Sequence, residues 1–487
     1  MTQTTQNSLV HWLTSGGDER IVLKPAIQRN KYHSSPIPTE DLVLASSTAN
    51  DLSPSSHDWL NGEFGPNADV VQSGTGYAAL LDDLRGSIRT SYGLDRDTDV
   101  FFAPSGTDLE YVGLLAAAGR SEGGIANFLL GSDEIGSGCI HSAAGQYFAQ
   151  KTALDVAVIP AQLVEGLPPV TLRDLPIRCD KGKARLSPIL LEEMEQTIRS
   201  AQQRQQFPLL HIVHGSKTGL ILPALEHVDA LRQTFGTQIG FVVDACQARI
   251  TSEAIREYLD REIVVFITGS KFMGGPPFSG FALLPKGLAA SSQPIAKGMA
   301  NIFRRAEIPK NWAGREICQD SGNPGLGLRV AASLYELERF QALDFGRVER
   351  IVSAFTDATE QLARDLNVRK VASAPDNHSE ELADHPLEMQ TLVTIDLTRS
   401  YDEELLRDLT FDDAVAIHLE LIGQGIRLGQ PVRCVRLKNG EWGATLRIGI
   451  SMPQIVQLDA LDDAQMLQWL ADAMARIKTA LEGPLDA

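Results

Sequence analysis

One lysine stands where an amine could react with an aldehyde. Lys271 stands one residue after the apolar run IVVFITG and lies in a turn crowded with glycine, serine and proline, TGSKFMGGPP. A lysine in that setting lies against a ligand, and a desolvated amine near a cationic group has a lowered pKa and becomes nucleophilic. Thr268 and Ser270 beside it offer hydroxyls to a phosphate. The pattern predicts a Schiff-base lysine beside an anion site.

Two further features could bind other parts of the same ligand. Ser105-Gly106-Thr107 stands between the apolar run DVFFA and a helical stretch, where backbone N–H groups and two hydroxyls make an anion cradle. Asp244 ends the apolar run GFVVDA, and open α/β sheets bind ligands at the carboxyl ends of their strands. Both features have an ordinary alternative, because Ser, Thr and Asp are also common helix caps.

Arg447 is a cation inside an otherwise apolar segment, ATLRIGIS. A guanidinium in such a strand needs a partner. A substrate carboxylate would suit it, because the two groups form paired hydrogen bonds. An internal Asp or Glu would instead make Arg447 a structural residue. The sequence leaves both interpretations open.

The elements that must position these residues alternate between strands and helices. Short apolar runs predict the strands, which are DVFFA, IANFLL, ALDVAVIP, LLHIVH, IGFVVDA, IVVFITG and GFALLP. The alternation predicts the α/β class, with a mostly parallel sheet between layers of helices. We expect an N-terminal arm over residues 1–60, a large cofactor-binding α/β domain over 61–310 and a smaller α+β domain over 311–487.

Composition and charge argue against several classes of partner. The chain has 487 residues and a net charge of −18, which disfavours a nucleic-acid or anionic-membrane surface. No apolar run approaches the roughly 20 residues of a membrane helix, and no secretory signal is evident. Five scattered cysteines form no CxxC pair, and the histidines form no HExxH motif. We therefore expect a cytoplasmic protein that needs no metal.

The order and setting of these features resemble those of a known group of enzymes. VVDACQ, HGSKTGLILP and TGSKFMGGPP are similar to segments of the fold-type I enzymes that use pyridoxal 5′-phosphate (PLP), and within them of the class V aminotransferase and cysteine-desulfurase group. The resemblance covers roughly residues 70–455. It implies PLP as cofactor, an amino-acid substrate and a homodimer whose sites are completed across the interface.

The resemblance also implies roles for single residues. Lys271 would be the Schiff-base and proton-transfer residue, Asp244 the partner of the pyridine nitrogen, and Arg447 the ligand of the substrate α-carboxylate. The other implied cofactor contacts are Ser105, Gly106, Thr107, Ser216, Thr218, Gln247 (to the phenolic oxygen), Thr268 and Ser270, with Ser321 and Asn323 where a dimer partner reaches the phosphate. Relatives stack an aromatic residue or a histidine on the ring, for which His141 is the nearest candidate and Glu134 the alternative.

The motifs leave open several reactions that share chemistry at Cα. HGSKTG favours an aminotransferase. A lyase that eliminates a group from Cβ or Cγ, or cleaves a C–S or C–N bond, is the first alternative. A decarboxylase comes third, because Ser270-Lys271 replaces the His-Lys dipeptide usual in that group. A cofactor-binding protein without catalysis, or a dinucleotide-dependent oxidoreductase of similar architecture, would belong to a different class.

Overall fold

Strands and helices alternate along most of the chain. The computed structural model describes residues 9–45, 47–65, 70–132, 134–136, 138–372, 391–402, 404 and 406–486. Most strands of the central sheet coincide with short apolar runs, because a strand covered on both faces needs apolar side chains on both. The strands are β1 Leu42–Leu44, β2 Asp99–Ala103, β3 Ile125–Leu130, β4 Val170–Leu175, β5 Phe207–His214, β6 Ile221–Leu222, β7 Gly240–Asp244, β8 Val264–Thr268, β9 Gly280–Leu284, β10 Arg369–Val371, β11 Leu392–Asp396, β12 Ile426–Leu428 and β13 Thr445–Gly449.

The helices bury one apolar face each and many begin at a side-chain cap. In the helix Gly74–Tyr92, the side chains of Leu81, Leu84 and Ile88 are buried, and the Ser73 hydroxyl caps the first turn. Within the described ranges, no helix is both long and apolar enough to cross a bilayer. The helices are α1 Pro54–Phe64, α2 Gly74–Tyr92, α3 Gly106–Ala117, α4 Cys139–Ala143, α5 Ser187–Gln203, α6 Leu225–Phe235, α7 Ser252–Asp260, α8 Leu288–Ser291, α9 Pro324–Gln341, α10 Phe345–Asp365, α11 Phe411–Gly423, α12 Met452–Asp459 and α13 Asp463–Asp486.

An eight-stranded sheet forms the centre of the molecule. Its order is β2-β9-β8-β7-β5-β3-β4, and the short β6 pairs with β5. The pairs β3–β4, β3–β5, β5–β7 and β7–β8 are parallel, whereas β9 runs antiparallel to both of its neighbours. In register, Asp244 lies opposite Val213 and Phe266, so the carboxyl ends of β5, β7 and β8 lie side by side. The predicted α/β class with a mostly parallel sheet is confirmed.

A smaller antiparallel sheet, β10-β11-β13, lies in the C-terminal part of the chain. It carries Arg447 in β13, opposite Thr394 of β11. Strand β1 pairs in parallel with β12, so the N-terminal segment is joined to the C-terminal part. One apolar cluster contains residues of both sheets, among them Val243 and Ile448. The predicted domain boundaries stay predictions.

Two segments differ from the expected strands. The strand predicted for ALDVAVIP is wrong, because this run lies on the surface, where Ile159 is 67% exposed and Asp155 has a φ of +57°. Its backbone makes one bridge, between Lys151 and Ala157, and no ladder. The sequence does not predict β4, because this strand lies at the sheet edge and most of its side chains are only partly buried.

Candidate active site

A cavity of about 640 Å³ lies at the carboxyl ends of the parallel strands. This volume suits a cofactor with a small substrate, since ligand sites span roughly 300–1,000 Å³. Open α/β sheets bind ligands at this end of their strands. Nine predicted site residues line the cavity, namely Ser105, Gly106, Thr107, Asp244, Gln247, Thr268, Ser270, Lys271 and Arg447.

The turn after β8 holds the backbone of Lys271 at the cavity wall. Gly274, whose φ of +75° favours glycine, donates from its backbone N–H to the Lys271 carbonyl at 2.9 Å. Asn50, from the N-terminal segment, donates to the same carbonyl at 2.7 Å. The Lys271 side chain is partly buried and lines the cavity. An amine held in this way can react with an aldehyde while its turn stays in place.

Asp244 lies at the end of the strand next to the one that leads to Lys271. Its Oδ1 accepts a hydrogen bond of 2.9 Å from the backbone N–H of Cys246. The Thr268 hydroxyl donates to the Cys246 carbonyl at 2.8 Å and ties the end of β8 to the end of β7. The predicted amine and carboxylate therefore lie at neighbouring strand ends and line one cavity.

A buried polar cluster lies near Asp244. Nε2 of His211 is 2.9 Å from Oδ1 of Asn127 and 3.6 Å from Oε2 of Glu110. Burial lowers the pKa of His211 to about 4, so this ring is neutral at neutral pH. Burial, and then repulsion from Asp244, raise the pKa of Glu110 well above its usual value. A buried carboxyl group whose protonated form is favoured therefore lies near Asp244, and the sequence patterns do not reveal it.

The first turn of α3 forms the predicted cradle. Ser105 caps this helix, since its Oγ accepts from the backbone N–H of Asp108 at 3.4 Å and donates to the Asp108 carboxylate at 2.5 Å. A Cβ on Gly106 would lie 3.0 Å from Thr268 Cγ2 and 3.2 Å from Cys246 Sγ, so glycine allows this close approach. Ser105 is therefore a helix cap, as the alternative interpretation predicts. The N-terminal turn of α3 nevertheless lines the cavity, where its backbone N–H groups could bind an anion.

Arg20 adds a cation to the cradle. Its Nη2 donates to Ser105 Oγ at 3.2 Å and its Nη1 to Thr107 Oγ1 at 3.3 Å. Asp18 forms an ion pair with Arg20 at 2.7 Å, and the Phe278 ring packs 4.8 Å from the guanidinium carbon. A guanidinium and two hydroxyls at a helix N-terminus suit a phosphate group. The loop-rich N-terminal sequence gives no signal for this residue.

Arg447 is buried in β13 and bonds to backbone carbonyls. Its Nε donates to the Gln430 carbonyl at 2.8 Å and its Nη1 to the Lys217 carbonyl at 3.4 Å. Burial lowers its pKa to about 10, which still leaves it charged at neutral pH. Among the described residues, no carboxylate forms an ion pair with Arg447. The structure therefore favours an external anion over an internal partner.

Ser216 and Thr218 bind a buried carboxylate and do not line the cavity. Oε2 of Glu134 accepts from the Ser216 hydroxyl at 2.6 Å and from the Thr218 hydroxyl at 2.7 Å. Arg178 forms a buried ion pair with Oε1 of Glu134. Burial opposes the charge on Glu134, but Arg178 and the two hydroxyls outweigh it and lower the pKa of Glu134. This network holds the turn whose middle residue, Lys217, lines the cavity.

His141 also lies outside the lining. It belongs to α4, is partly buried, and has its Nδ1 3.2 Å from Oε1 of Gln146. Cys139 and Ile140 of the same helix line the cavity in its place. The structure therefore gives His141 no contact with the site within one chain.

Ser321 and Asn323 lie outside this cavity as well. Oδ1 of Asn323 caps α9 by accepting from the backbone N–H of Leu326 at 3.2 Å, and its Nδ2 donates to the Gly16 carbonyl at 3.0 Å. Ser321 is partly exposed just before this helix. Their expected role involves a second copy of the chain and stays a prediction.

The site combines four chemical functions around one cavity. Lys271 supplies an amine, Asp244 a carboxylate that can hold a cationic nitrogen, and Arg447 a guanidinium for a carboxylate. The start of α3 with Arg20 supplies donors for a phosphate. This set fits a phosphorylated aldehyde that carries a basic ring nitrogen, together with an amino acid.

Comparisons with known proteins bear on the fold. No protein-family model matches the chain, and no curated protein matches it in sequence. Among solved structures, a cysteine desulfurase from Thermococcus onnurineus NA1 is similar, with a TM-score of 0.53, 16% identity, and coverage of 90% of this chain and 95% of the other. An aspartate aminotransferase from Thermus thermophilus has a TM-score of 0.50 at 15% identity, covering 91% of this chain and 99% of the other.

A third solved structure is a variant of C-DES with glycine covalently linked to its PLP cofactor. It has a TM-score of 0.53 at 13% identity, covering 90% of this chain and 97% of the other. These likenesses extend over the central sheet and the C-terminal part alike, since each covers at least 90% of the chain. The chain therefore has the fold of the fold-type I, PLP-dependent enzymes.

Proposed function

We propose that this protein is a PLP-dependent enzyme that acts at Cα of an amino acid, and that its reaction is transamination. The observation that carries the proposal is the cavity at the strand ends, which Lys271, Asp244 and Arg447 line together. These residues come from three different parts of the chain, namely the turn after β8, the end of β7 and strand β13. Their convergence on one cavity indicates a ligand site.

The residues present fit the cofactor. Lys271 would bond to the aldehyde of PLP, and Asp244 would hold the protonated ring nitrogen. Thr107, Ser270 and Arg20 offer a phosphate two hydroxyls and a guanidinium, next to the start of α3. When bound, PLP supplies an electron sink that stabilises negative charge developing at the substrate Cα.

Other residues of the cavity would bind the substrate, transfer its proton and exclude water. Arg447 binds the substrate α-carboxylate and fixes its orientation, because a guanidinium and a carboxylate share two parallel hydrogen bonds. Lys271, at the cavity wall, would act as the base that takes the proton from Cα of the substrate and as the acid that returns it. The buried wall around Asp244, which includes Cys246, limits water near the ring and strengthens these charge interactions.

Two observations support transamination over the other reactions. The segment HGSKTG resembles that of aminotransferases, and its turn lines the cavity through Lys217. A desulfurase needs a mobile nucleophilic cysteine, but Cys139 and Cys246, which line the cavity, are buried. Burial raises the pKa of both thiols well above the usual value, which disfavours the reactive thiolate. A homodimer belongs to the same proposal, with Ser321 and Asn323 near the partner's site.

The test is a spectral screen of purified protein loaded with PLP. Wild type should absorb at about 420 nm, the band of a protonated PLP imine, and Lys271→Ala should lack that band. Lys31→Ala is the matched control, because Lys31 lines the rim of the same cavity but is exposed. The control variant should keep the band.

Each outcome of the screen has a defined meaning. Loss of the band on adding an amino acid, with an oxo acid and the pyridoxamine form as products, supports transamination. Release of ammonia or sulfide without the pyridoxamine form would assign a lyase instead. Absence of any PLP band from wild type would reject the proposal.

A further inference from the structure

The helix α11 has a second apolar side beside the one that it buries. Its buried side is formed by Ala414, Ile417, His418 and Leu421. Phe411, Val415 and Leu419 repeat at intervals of four residues, so they form one row along the adjacent flank of the helix. A surface helix normally presents polar residues outside its buried side. This row therefore needs an apolar partner that the helix packing does not supply.

The row lines the active-site cavity and is partly open to solvent. Val415 is 37% exposed and Leu419 is 49% exposed, and both line the cavity together with Phe411. At a rise of 1.5 Å per residue, the row extends over about 12 Å. Ile140 of α4, which is 45% exposed, lines the same cavity. The cavity therefore has an extended apolar wall in addition to its polar site.

Hydrogen bonds fix α11 close to Arg447. Nε2 of His418 donates to the Leu428 carbonyl at 3.0 Å, which ties the helix to the end of β12. Two residues further along, the Gln430 carbonyl accepts from Nε of Arg447 at 2.8 Å. The apolar row thus lies near the guanidinium that would hold the α-carboxylate of the substrate.

The apolar wall continues next to that guanidinium. Pro431 and Val432 directly follow Gln430 and line the cavity. A substrate bound through its carboxylate at Arg447 and through its amine at the cofactor has its side chain left to contact these walls. The cations at this rim, Lys31 and Arg433, are exposed, and solvent screens their charge. These surroundings suit an apolar side chain.

We propose that the substrate is an amino acid with a large apolar side chain, and that Val415 and Leu419 are specificity-determining residues that contact it. This inference rests on the proposed function, since it assigns the α-carboxylate to Arg447. Binding would remove the exposed parts of the row and the substrate side chain from water together, and burial of apolar surface is favourable.

A series of straight-chain amino acids measures the contribution of the apolar wall. The PLP-loaded protein is titrated with L-alanine, L-norvaline, L-norleucine and L-2-aminooctanoate, and dissociation constants come from the change in the absorption band of the bound cofactor. The affinity should rise about fourfold for each added methylene group, because burial of one methylene has that effect.

Amino acids of one shape separate apolar from polar and charged side chains. L-leucine, L-asparagine and L-aspartate have side chains of nearly the same size. L-leucine should bind about tenfold or more tightly than either of the other two, because the apolar wall offers the amide and the carboxylate no replacement for their lost water.

Variants of the helix surface assign the preference to the row. Leu419→Gln should reduce the gain per methylene to less than about twofold, and Val415→Thr should lower it by a smaller factor. Leu467→Gln is the matched control, because Leu467 is 55% exposed on another helix, α13, and is not part of the cavity lining. Leu and Gln have similar helix propensities, so both Gln variants should keep the fold and the cofactor band.

The outcomes separate this inference from the proposed function. If wild type forms no cofactor band, the proposed function fails. If the band forms but the affinity does not depend on side-chain length, or L-aspartate binds most tightly, the function stands and the inference is wrong. If Leu419→Gln keeps the gain per methylene and instead dissociates a dimer in analytical ultracentrifugation, the row is an interface between two copies, which would also overturn the inference.

Discussion

Two buried arginines in neighbouring parts of the C-terminal region have opposite surroundings. Arg427, in β12, donates to the Asp41 carboxylate at 3.1 Å and to Asp51 Oδ1 at 2.6 Å. Arg447, in β13, bonds to two backbone carbonyls and lines the cavity. Both side chains sit in short apolar strands, and the sequence around them looks alike, IRLG and LRIG.

The difference shows how the same residue type can serve structure or ligand binding. The charge of Arg427 is balanced within the chain by two carboxylates of the N-terminal segment. This arrangement joins that segment, which also supplies Arg20 and Asn50 to the site, to the C-terminal part. In the proposed function, a carboxylate of the substrate balances the charge of Arg447. Removing each charge should therefore affect stability in one case and activity in the other.

The largest effect is expected for Arg427→Met. This change leaves the buried Asp51 carboxylate without its cation, whereas Asp41 keeps its ion pair with Arg29. It should lower the free energy of unfolding by about 3–5 kcal/mol. Urea unfolding at matched protein concentration measures it. Asp51→Asn tests the same pair from its other side, and unchanged stability in both variants would contradict the structural role of Arg427.

Arg447→Met should give the reverse result. The α-carboxylate would lose its paired hydrogen bonds, so kcat/KM should fall roughly a hundredfold or more. The free energy of unfolding should fall by less than it does in Arg427→Met, because in the described part of the chain Arg447 leaves behind two backbone carbonyls and no ion-pair partner. A variant that loses stability and keeps kcat/KM would make Arg447 a structural residue.

Arg20 is intermediate between these two arginines. It forms an ion pair with Asp18, and its guanidinium also donates to the hydroxyls of Ser105 and Thr107. Arg20→Met should weaken PLP binding by roughly tenfold, as expected for one charge-assisted phosphate contact. Equilibrium dialysis of PLP against wild type and variant measures this. Lys31→Met serves as the control, and equal affinities for wild type and Arg20→Met would remove Arg20 from the phosphate site.

The sequence predicts best what depends on local pattern. The strands β7 and β8 and the residues at their ends, Asp244 and Lys271, follow from apolar runs that stop at polar residues. Parallel strands place their carboxyl ends at the same edge of the sheet, so these two residues line one cavity although they are far apart in the sequence. The same reasoning fails for ALDVAVIP, since an apolar run forms a strand only where a neighbouring strand can pair with it.

Other parts of the site depend on contacts distant in sequence. Arg20 reaches the cavity, and Asn50 reaches the backbone of Lys271, from an irregular segment without periodicity, so only the folded chain reveals them. The motif HGSKTG drew attention to Ser216 and Thr218, yet these hydroxyls bind Glu134, and Lys217 between them lines the cavity. A motif thus locates a turn, whereas burial decides which of its side chains faces the ligand.

Chemical trapping of the lysine that bonds to PLP tests the central claim most directly. Lys217 is a demanding internal control, because it is a second lysine of the same cavity and burial lowers its pKa to about 8. The PLP-loaded protein is reduced with borohydride, digested and mapped by peptide mass spectrometry. We predict that the reduced cofactor is found on the peptide that contains Lys271 and on no other. Attachment to Lys217, or to a lysine outside the cavity, would contradict the account.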